Sequence, residues 1–154
     1  MKYRKTAFST PAEVQYAAVS GSYKDVPDVN DGAMMVVKHL LSYGYLWNEV
    51  RVKGGAYGVM CRFSRAGSGS FVSYRDPNLS ATYDVYKKAA DFLENYDADE
   101  REVTKTIIGT ISGLDTPLTP SMDGKRSMSM YLQRHRLKLY RKKEIRCLHA
   151  QKRI

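Results

Sequence analysis

Apolar positions in the first third of the chain predict one strand followed by a helix. Residues 14–19 are mostly apolar, which is typical of a strand in a largely covered position of a sheet. The turn-rich residues 20–31 end that strand and offer Asp28 or Asn30 as a helix cap. The next helix carries an apolar surface wider than one stripe, formed by Met34, Val37, His39, Leu40 and Leu41. We expect this helix to be buried against the sheet, and a second short helical piece to follow the next glycine, at residues 45–50.

From residue 56 onward the polarity alternates at every second position, which predicts a β-hairpin. One side of its first strand carries Tyr57, Val59, Cys61 and Phe63. Residues 71–74 pair with that strand across a loop at residues 65–70, where two glycines tolerate positive φ. The sequence Asp76-Pro77-Asn78 then ends the second strand and is expected to cap a helix.

Further helices are predicted after the hairpin. The first has apolar residues three and four positions apart, at Leu79, Tyr83, Tyr86, Ala90 and Leu93. Acids at residues 99–102 suit a helix start and precede a stripe made of Val103, Ile107, Ile111 and Leu114. Pro120 takes a tolerated first-turn position of the last helix, and Met34, Met35, Met122, Met128 and Met130 are expected to fill the core. This order indicates an α+β fold, an antiparallel or mixed sheet covered by helices mainly on one face.

The positive charge is concentrated at one end of the chain. The formal net charge is +9 over 154 residues. Residues 134–154 hold nine Lys or Arg and one Glu, a balance of +8, which leaves +1 for residues 1–133. We therefore expect one nearly neutral domain at residues 1–133 and a basic tail at residues 134–154 that is not part of its core.

Composition and spacing exclude several classes of protein. No apolar run approaches the roughly 20 residues that span a bilayer, so no membrane partner is expected. Cys61 and Cys147 are too few for a disulfide framework or a four-thiolate zinc site, which makes the reducing cytoplasm the default location. Lys53 precedes the glycine pair, whereas the lysine of a phosphate-binding loop follows its glycines.

Two motifs in the middle of the chain carry a family resemblance. The pattern R-x-x-G-G-A-Y-G runs from Arg51 to Gly58, and Y-R-D-P-N runs from Tyr74 to Asn78. They resemble the last domain of the insulinase/pitrilysin-type zinc metallopeptidases, in the presequence-protease branch, and the similarity covers residues 14–132. The resemblance implies a metallopeptidase-type α/β domain that is incomplete here. It also implies an unfolded peptide as substrate and a missing N-terminal catalytic half or a partner chain.

The chain lacks the metal-binding motif of that family. The zinc site needs His-x-x-Glu-His on one helix, because two histidines bind the metal and the glutamate takes a proton from zinc-bound water. None of His39, His135 and His149 has that spacing. We therefore expect no cofactor in this chain, zinc bound elsewhere in the complete enzyme, and no activity of the chain alone. His39 lies on an apolar helix and is expected to be a core or boundary residue.

Arg51 and Tyr57 are the candidate substrate-binding residues. The resemblance implies that this arginine and this tyrosine reach the zinc site and hold the peptide backbone near the scissile carbonyl. Guanidinium and phenol donors suit an oxygen that gains negative charge as water attacks. Six residues of straight strand would separate them by about 20 Å. We therefore expect Gly54 and Gly55 to bend the chain.

A structural interpretation of the same residues stays open. Arg51 could pair with an acid such as Glu49 or Asp76, and Tyr57 could be an edge aromatic. Arg75 and Asp76 are expected to form the corner after the hairpin, with a structural role, because Asp-Pro-Asn is a typical capping sequence.

The basic tail allows three interpretations. It is a solvated extension, a site for nucleic acid or anionic lipid, or a segment translated in a shifted frame after residue 133. The shifted frame is our hypothesis, because charge balance and family resemblance end at the same place. The tail also suggests an alternative function, a nucleic-acid-binding module, which we rank below the peptidase function. A second alternative is an inactive structural subunit of a two-chain peptidase.

Overall fold

Three antiparallel strands form a sheet in the order β1–β3–β2, where β1 is Ala18–Ser22, β2 is Gly58–Phe63 and β3 is Ser68–Tyr74. A computed structural model describes residues 5–27, 29, 31–64, 67–97, 99–132 and 147. Helices pack on one face of the sheet, so the α+β prediction is confirmed. No described helix covers the other face, where Met60 is 51% and Tyr74 45% exposed.

The hairpin of β2 and β3 forms as predicted and sets the register of the sheet. Cys61 pairs with Phe71 on the helix side, whereas Met60 pairs with Val72 on the open side. The loop is shorter than predicted, because β3 already begins at Ser68. Gly67 closes it with φ +80, and a Cβ there would lie 2.7 Å from the Cα of Lys24. No larger residue fits that approach of two backbones.

The first strand differs from its prediction in position and burial. The apolar run at residues 14–19 is interrupted, because an isolated bridge joins Gln15 to Asp76 and regular pairing with β3 begins only at Ala18. All five residues of β1 are exposed, although Ala17 just before it is fully buried. The prediction of a covered strand at residues 14–19 is therefore wrong. The register of β1 depends on its pairing with β3, about 50 residues later in the chain. A local sequence pattern does not predict pairing over that distance.

One continuous helical segment replaces the two predicted before the hairpin. Helix α1 is Asp31–His39, and a π-helix, Leu40–Lys53, continues from it without a break at Gly44. The predicted interruption is wrong. The buried residues of the π-helix lie on both sides of the glycine: Leu40, Leu41, Leu46 and Val50. Their burial outweighs the roughly 1 kcal/mol that a mid-helix glycine costs. The expected caps Asp28 and Asn30 lie outside the described residues.

The helices after the hairpin follow the sequence more closely. The predicted helix at residues 79–93 is divided at Lys88 into α2, Ser80–Lys87, and α3, Ala89–Glu94. Helix α4 is Glu100–Leu114, and its Asp99 cap accepts a hydrogen bond from the backbone N–H of Glu102 at 2.7 Å. Helix α5 is Pro120–Leu132 and starts at the predicted proline. None of the helices in the described part of the chain is long and apolar enough to cross a membrane.

Two apolar clusters hold these elements together. The larger lies between sheet and helices and contains Ala17, Leu41, Leu46, Val50, Ala56, Cys61, Tyr86 and Ala89. The smaller joins α1 to the predicted stripe of α4 through Val36, Ile107 and Cys147, with Met35 against it. The core role predicted for the methionines is wrong for two residues of α5. Met122 is 50% and Met128 61% exposed, because α5 buries none of its residues.

Candidate functional site at the glycine corner

A two-glycine turn joins the π-helix to β2 and favours glycine at both positions, at Gly54 for lack of space and at Gly55 because of its backbone conformation. A Cβ on Gly54 would lie 2.5 Å from the carbonyl oxygen of Val50, which is far inside van der Waals contact. Gly55 has φ +78, in the left-handed region that L residues adopt only at a cost. The chain therefore leaves the helix after Lys53 and enters the sheet at Gly58, with Arg51 before the turn and Tyr57 after it.

Hydrogen bonds fix this turn from inside and outside. The N–H of Gly55 donates to the carbonyl of Arg51 at 3.0 Å, and the N–H of Ala56 donates to Val50 at 3.1 Å. From outside, the side-chain amide of Asn78 donates to the carbonyl of Gly54 at 2.6 Å. We use the name glycine corner for residues 51–57 together with residues 74–78. Helix end, strand start and hairpin exit meet there.

Asp76 anchors the corner from within the protein. It is fully buried, and its carboxylate accepts hydrogen bonds from the N–H of Asn78 at 2.8 Å and the hydroxyl of Thr82 at 2.7 Å. Its backbone exchanges two hydrogen bonds of 2.9 Å with Gln15. The carboxylate does not cap α2, since the residue before that helix is Leu79 and has no side-chain cap bond. Asp76 instead ties the hairpin exit to the first turn of α2.

Arg51 lies against an aromatic ring of its own helix. The guanidinium carbon is 4.0 Å from the centroid of the Trp47 ring, which is a favourable cation–π distance. Glu49 pairs with Lys53 at 2.6 Å instead, and the carboxylate of Asp76 is occupied as described above. Within the described ranges, neither acid forms an ion pair with Arg51. The arginine is partly exposed.

Tyr57 stands at the surface and does not follow the alternation predicted for its strand. Its side chain is 66% exposed, whereas Cys61 of the same predicted side is buried. The ring contacts Tyr74 edge-on, with centroids 5.6 Å apart, and the guanidinium carbon of Arg75 is 5.8 Å from its centroid. The backbone N–H of Tyr57 donates to the carbonyl of Arg75 at 3.3 Å. Tyr57 precedes the first strand residue, and this explains why it turns outward.

The described residues do not form a metal site. No group of three histidine, cysteine, aspartate or glutamate side chains among them is placed to hold an ion. His39 is half-buried, 4.7 Å from the ring of Tyr43, and burial together with the nearby Lys38 lowers its pKa. This confirms that His39 is a boundary residue. His135 and His149 lie outside the described residues. The zinc expected for the family therefore does not fit the part of this chain that the structure describes.

Neither cysteine is placed for chemistry. Cys61 is a free thiol, and both Cys61 and Cys147 are buried. Burial raises the pKa of Cys61 to about 12, which leaves almost no reactive thiolate at neutral pH.

Three partners of Arg51 and Tyr57 were not predicted from the sequence. Trp47 lies one helical turn from Arg51, and that four-residue spacing was readable in the sequence. Tyr74 and Arg75 were assigned to the strand and the corner, but their contacts with Tyr57 follow from the hairpin register, which pairs Tyr74 with Gly58.

Comparison with known proteins supports the family resemblance indicated by the motifs at residues 51–58 and 74–78. A family model described as the PreP C-terminal domain matches residues 5–153. The chain belongs to this family. It is 46% identical over 123 residues to Protein HypA of Clostridium perfringens, covering 80% of this chain and 13% of that protein. It is 40% identical over 130 residues to presequence protease 1 (chloroplastic/mitochondrial) of Arabidopsis thaliana, covering 84% of this chain and 12% of that protein. The mitochondrial presequence protease of Xenopus laevis is 30% identical over 146 residues, 88% of this chain and 14% of that protein.

The chain thus spans about an eighth of the length of the curated relatives that it matches. The family match extends through most of the basic segment, which argues against a shifted reading frame after residue 133. Cys147, within that segment, is fully buried against Val36 and Ile107 and donates to the carbonyl of Gly32 at 3.6 Å. The boundary between domain and tail at residue 133 stays a prediction. Both the family match and the contacts of Cys147 include residues on the two sides of that boundary.

Proposed function

We propose that this chain is the non-metal-binding, C-terminal portion of a zinc metalloendopeptidase that degrades unfolded peptides. In this proposal Arg51 and Tyr57 contact the peptide at a cleavage site whose His-x-x-Glu-His motif lies in an N-terminal half or a partner chain. Membership of the PreP C-terminal domain family supports the reaction class. The observation that carries the proposal is the position of the exposed Tyr57 and the partly exposed Arg51 on either side of one glycine turn, with no described carboxylate pairing with the arginine.

The chemistry assigned to the two residues is electrostatic. The guanidinium and the phenol hydroxyl donate hydrogen bonds to the peptide oxygen, which becomes negative when water attacks the carbonyl carbon. Such donors lower the barrier most when they are held in place before the reaction. The glycine corner supplies this rigidity through the Asn78 bond to Gly54 and the buried carboxylate of Asp76.

Two consequences follow for the isolated chain. It should not hydrolyse peptides, and a reducing compartment such as the cytoplasm suits the free thiol of Cys61. The first consequence is tested by incubating the purified chain with a flexible, fluorescently quenched peptide, with and without zinc. Zinc-dependent turnover by the chain alone would refute the assignment.

The contact roles are tested in a complete enzyme. The whole chain replaces the segment that it matches in presequence protease 1 of Arabidopsis thaliana, and hydrolysis of the same peptide is measured. We expect the chimera to be active. Losing one preorganised donor typically lowers kcat by about 100-fold or more, so Arg51→Gln and Tyr57→Phe should each have an effect of that order.

The controls separate contact from folding. Lys53→Gln changes an exposed cation two residues from Arg51 and should leave kcat within about twofold, since exposed ion pairs contribute little. Zinc content and thermal stability of every chimera are measured alongside. An inactive parent chimera counts against the proposal, and so do Arg51→Gln and Tyr57→Phe variants that bind zinc and cleave the peptide at the parent rate.

A further inference from the structure

Three tyrosine rings form a row at one end of the sheet. Tyr16 contacts Tyr74 edge-on with centroids 5.4 Å apart, and Tyr74 contacts Tyr57 edge-on at 5.6 Å. The three side chains are 60%, 45% and 66% exposed. The row crosses the sheet from the β1 side through β3 to the β2 side, and Tyr57 is its last member.

Tyr57 is also held from the direction of Arg75. The guanidinium carbon lies 5.8 Å from the Tyr57 ring, and the backbone carbonyl of Arg75 accepts the Tyr57 N–H. Arg75 has φ +48, an uncommon conformation for a residue with a side chain. Strained backbone of this kind persists where the surrounding structure enforces it. Here two pairs of hydrogen-bonded backbone partners enclose it, Gly58 with Tyr74 and Gln15 with Asp76.

We propose that Tyr74 is a positioning residue for Tyr57, braced by Tyr16 and assisted by Arg75. This inference rests on the proposed function, in which the Tyr57 hydroxyl contacts the peptide. An exposed tyrosine otherwise samples several staggered rotamers, and each rotamer directs the hydroxyl to a different place. The edge-on contact with Tyr74 and the cation beside the ring both favour one of them. The hydroxyl is thereby held ready for the substrate.

The kinetic consequence is specific. Loosening Tyr57 reduces the fraction of molecules whose hydroxyl is in place, and the loss falls on an interaction made mainly in the transition state. One edge-on aromatic contact biases a rotamer equilibrium by about fivefold. Tyr74→Leu should therefore lower kcat about fivefold and leave KM within about twofold, whereas Tyr74→Phe keeps the ring edge and should keep kcat.

The experiment combines kinetics in the chimera with NMR of the full 154-residue chain. In the chain, tyrosine χ1 populations are measured from couplings of labelled side chains, and contacts between the rings of Tyr57 and Tyr74 are followed by NOE. We expect Tyr74→Leu to spread the Tyr57 χ1 distribution and Tyr74→Phe to preserve it. Tyr23→Leu is the control, because it removes an edge-on contact of 5.9 Å between Tyr23, just after β1, and Phe63 of β2, together with the hydrogen bond that the Tyr23 hydroxyl donates to the carbonyl of Ser64. It should change stability without changing kcat.

The outcomes separate the two proposals. If Tyr57→Phe lowers kcat but Tyr74→Leu does not, the positioning role is overturned and the contact role stands. An unaltered Tyr57 χ1 distribution in Tyr74→Leu also overturns it. If Tyr57→Phe leaves kcat unchanged, the proposed function fails and the positioning role falls with it. A loss of kcat in Tyr23→Leu equal to that in Tyr74→Leu would assign the effect to general destabilisation.

Discussion

The glycine corner and helix α5 are held in opposite ways. In the corner, the backbone is restricted by the tight space at Gly54, by the hydrogen bond that Asn78 donates to Gly54, and by those that the Asp76 carboxylate accepts. In α5 no residue is buried, and four apolar side chains lie largely in solvent: Met122, Met128, Tyr131 and Leu132. Adding or removing a single side-chain atom should therefore destabilise the corner, whereas α5 should tolerate most substitutions. Substrate contact is proposed only for the region that has this rigidity.

The largest effect is expected for Asp76→Ala. The substitution leaves the N–H of Asn78 and the hydroxyl of Thr82 without their acceptor in a buried site. One buried hydroxyl and one part-buried N–H left unsatisfied, together with the vacated volume, should reduce the free energy of unfolding by about 3–4 kcal/mol. Urea denaturation of the chain measures this loss. Asp76→Asn is the control, because it keeps the shape and one acceptor oxygen and should cost less than half as much. Equal losses in the two variants would contradict the assignment.

The second effect is expected for Gly54→Ala. The added Cβ would lie 2.5 Å from a backbone oxygen of Val50 and 3.1 Å from that of Glu49, and neither oxygen can move without unwinding the helix end. Overpacking of this kind should cost about 2–3 kcal/mol. The change also moves Arg51 relative to Tyr57, so activity of the chimera should fall with stability. A thermal unfolding midpoint equal to that of the parent would show that the turn is looser than the geometry implies.

Local signals in the sequence were sufficient for much of the fold. The hairpin, the cap of α4 at Asp99 and the start of α5 at Pro120 each depend on residues within a few positions of one another. The predictions failed where distant parts of the chain decide. Burial on both sides kept the helix continuous through Gly44, and pairing with β3 placed the first strand at Ala18.

The site shows the same division. The glycine pair and its flanking arginine and tyrosine were readable as a motif within seven residues. The bond from Asn78 to Gly54 spans 24 residues, and the contact of Tyr57 with Tyr74 depends on strand register. No local periodicity encodes such contacts. The sequence therefore predicts the candidate residues, but not the long-range contacts that position them.

The third effect is expected for Gly55→Ala. Space is available, since the nearest heavy atom to an added Cβ is the Cγ of Pro77 at 3.5 Å. The cost comes from the φ of +78, which an alanine adopts at about 1–2 kcal/mol. Differential scanning calorimetry should show this loss as a lower midpoint. Gly55→Asn tests the cause, because asparagine tolerates the left-handed region better and should recover part of the loss. If asparagine is no better than alanine, backbone strain is not the reason.

The smallest effect, and one of opposite sign, is expected for Gly124→Ala in α5. Within the described part of the chain no heavy atom lies within 4 Å of the position that a Cβ would take, and φ is not in the left-handed region. Alanine restricts the unfolded chain and favours the helix, so the free energy of unfolding should rise by about 0.5–1 kcal/mol. Urea denaturation is again the measurement, and Gly113→Ala in α4, where the space is also open, is the matched comparison. A loss of stability in Gly124→Ala alone would show that this side of α5 is packed. Both regions would then be closely packed, and the glycine corner would differ from α5 only in the kind of contact that holds it.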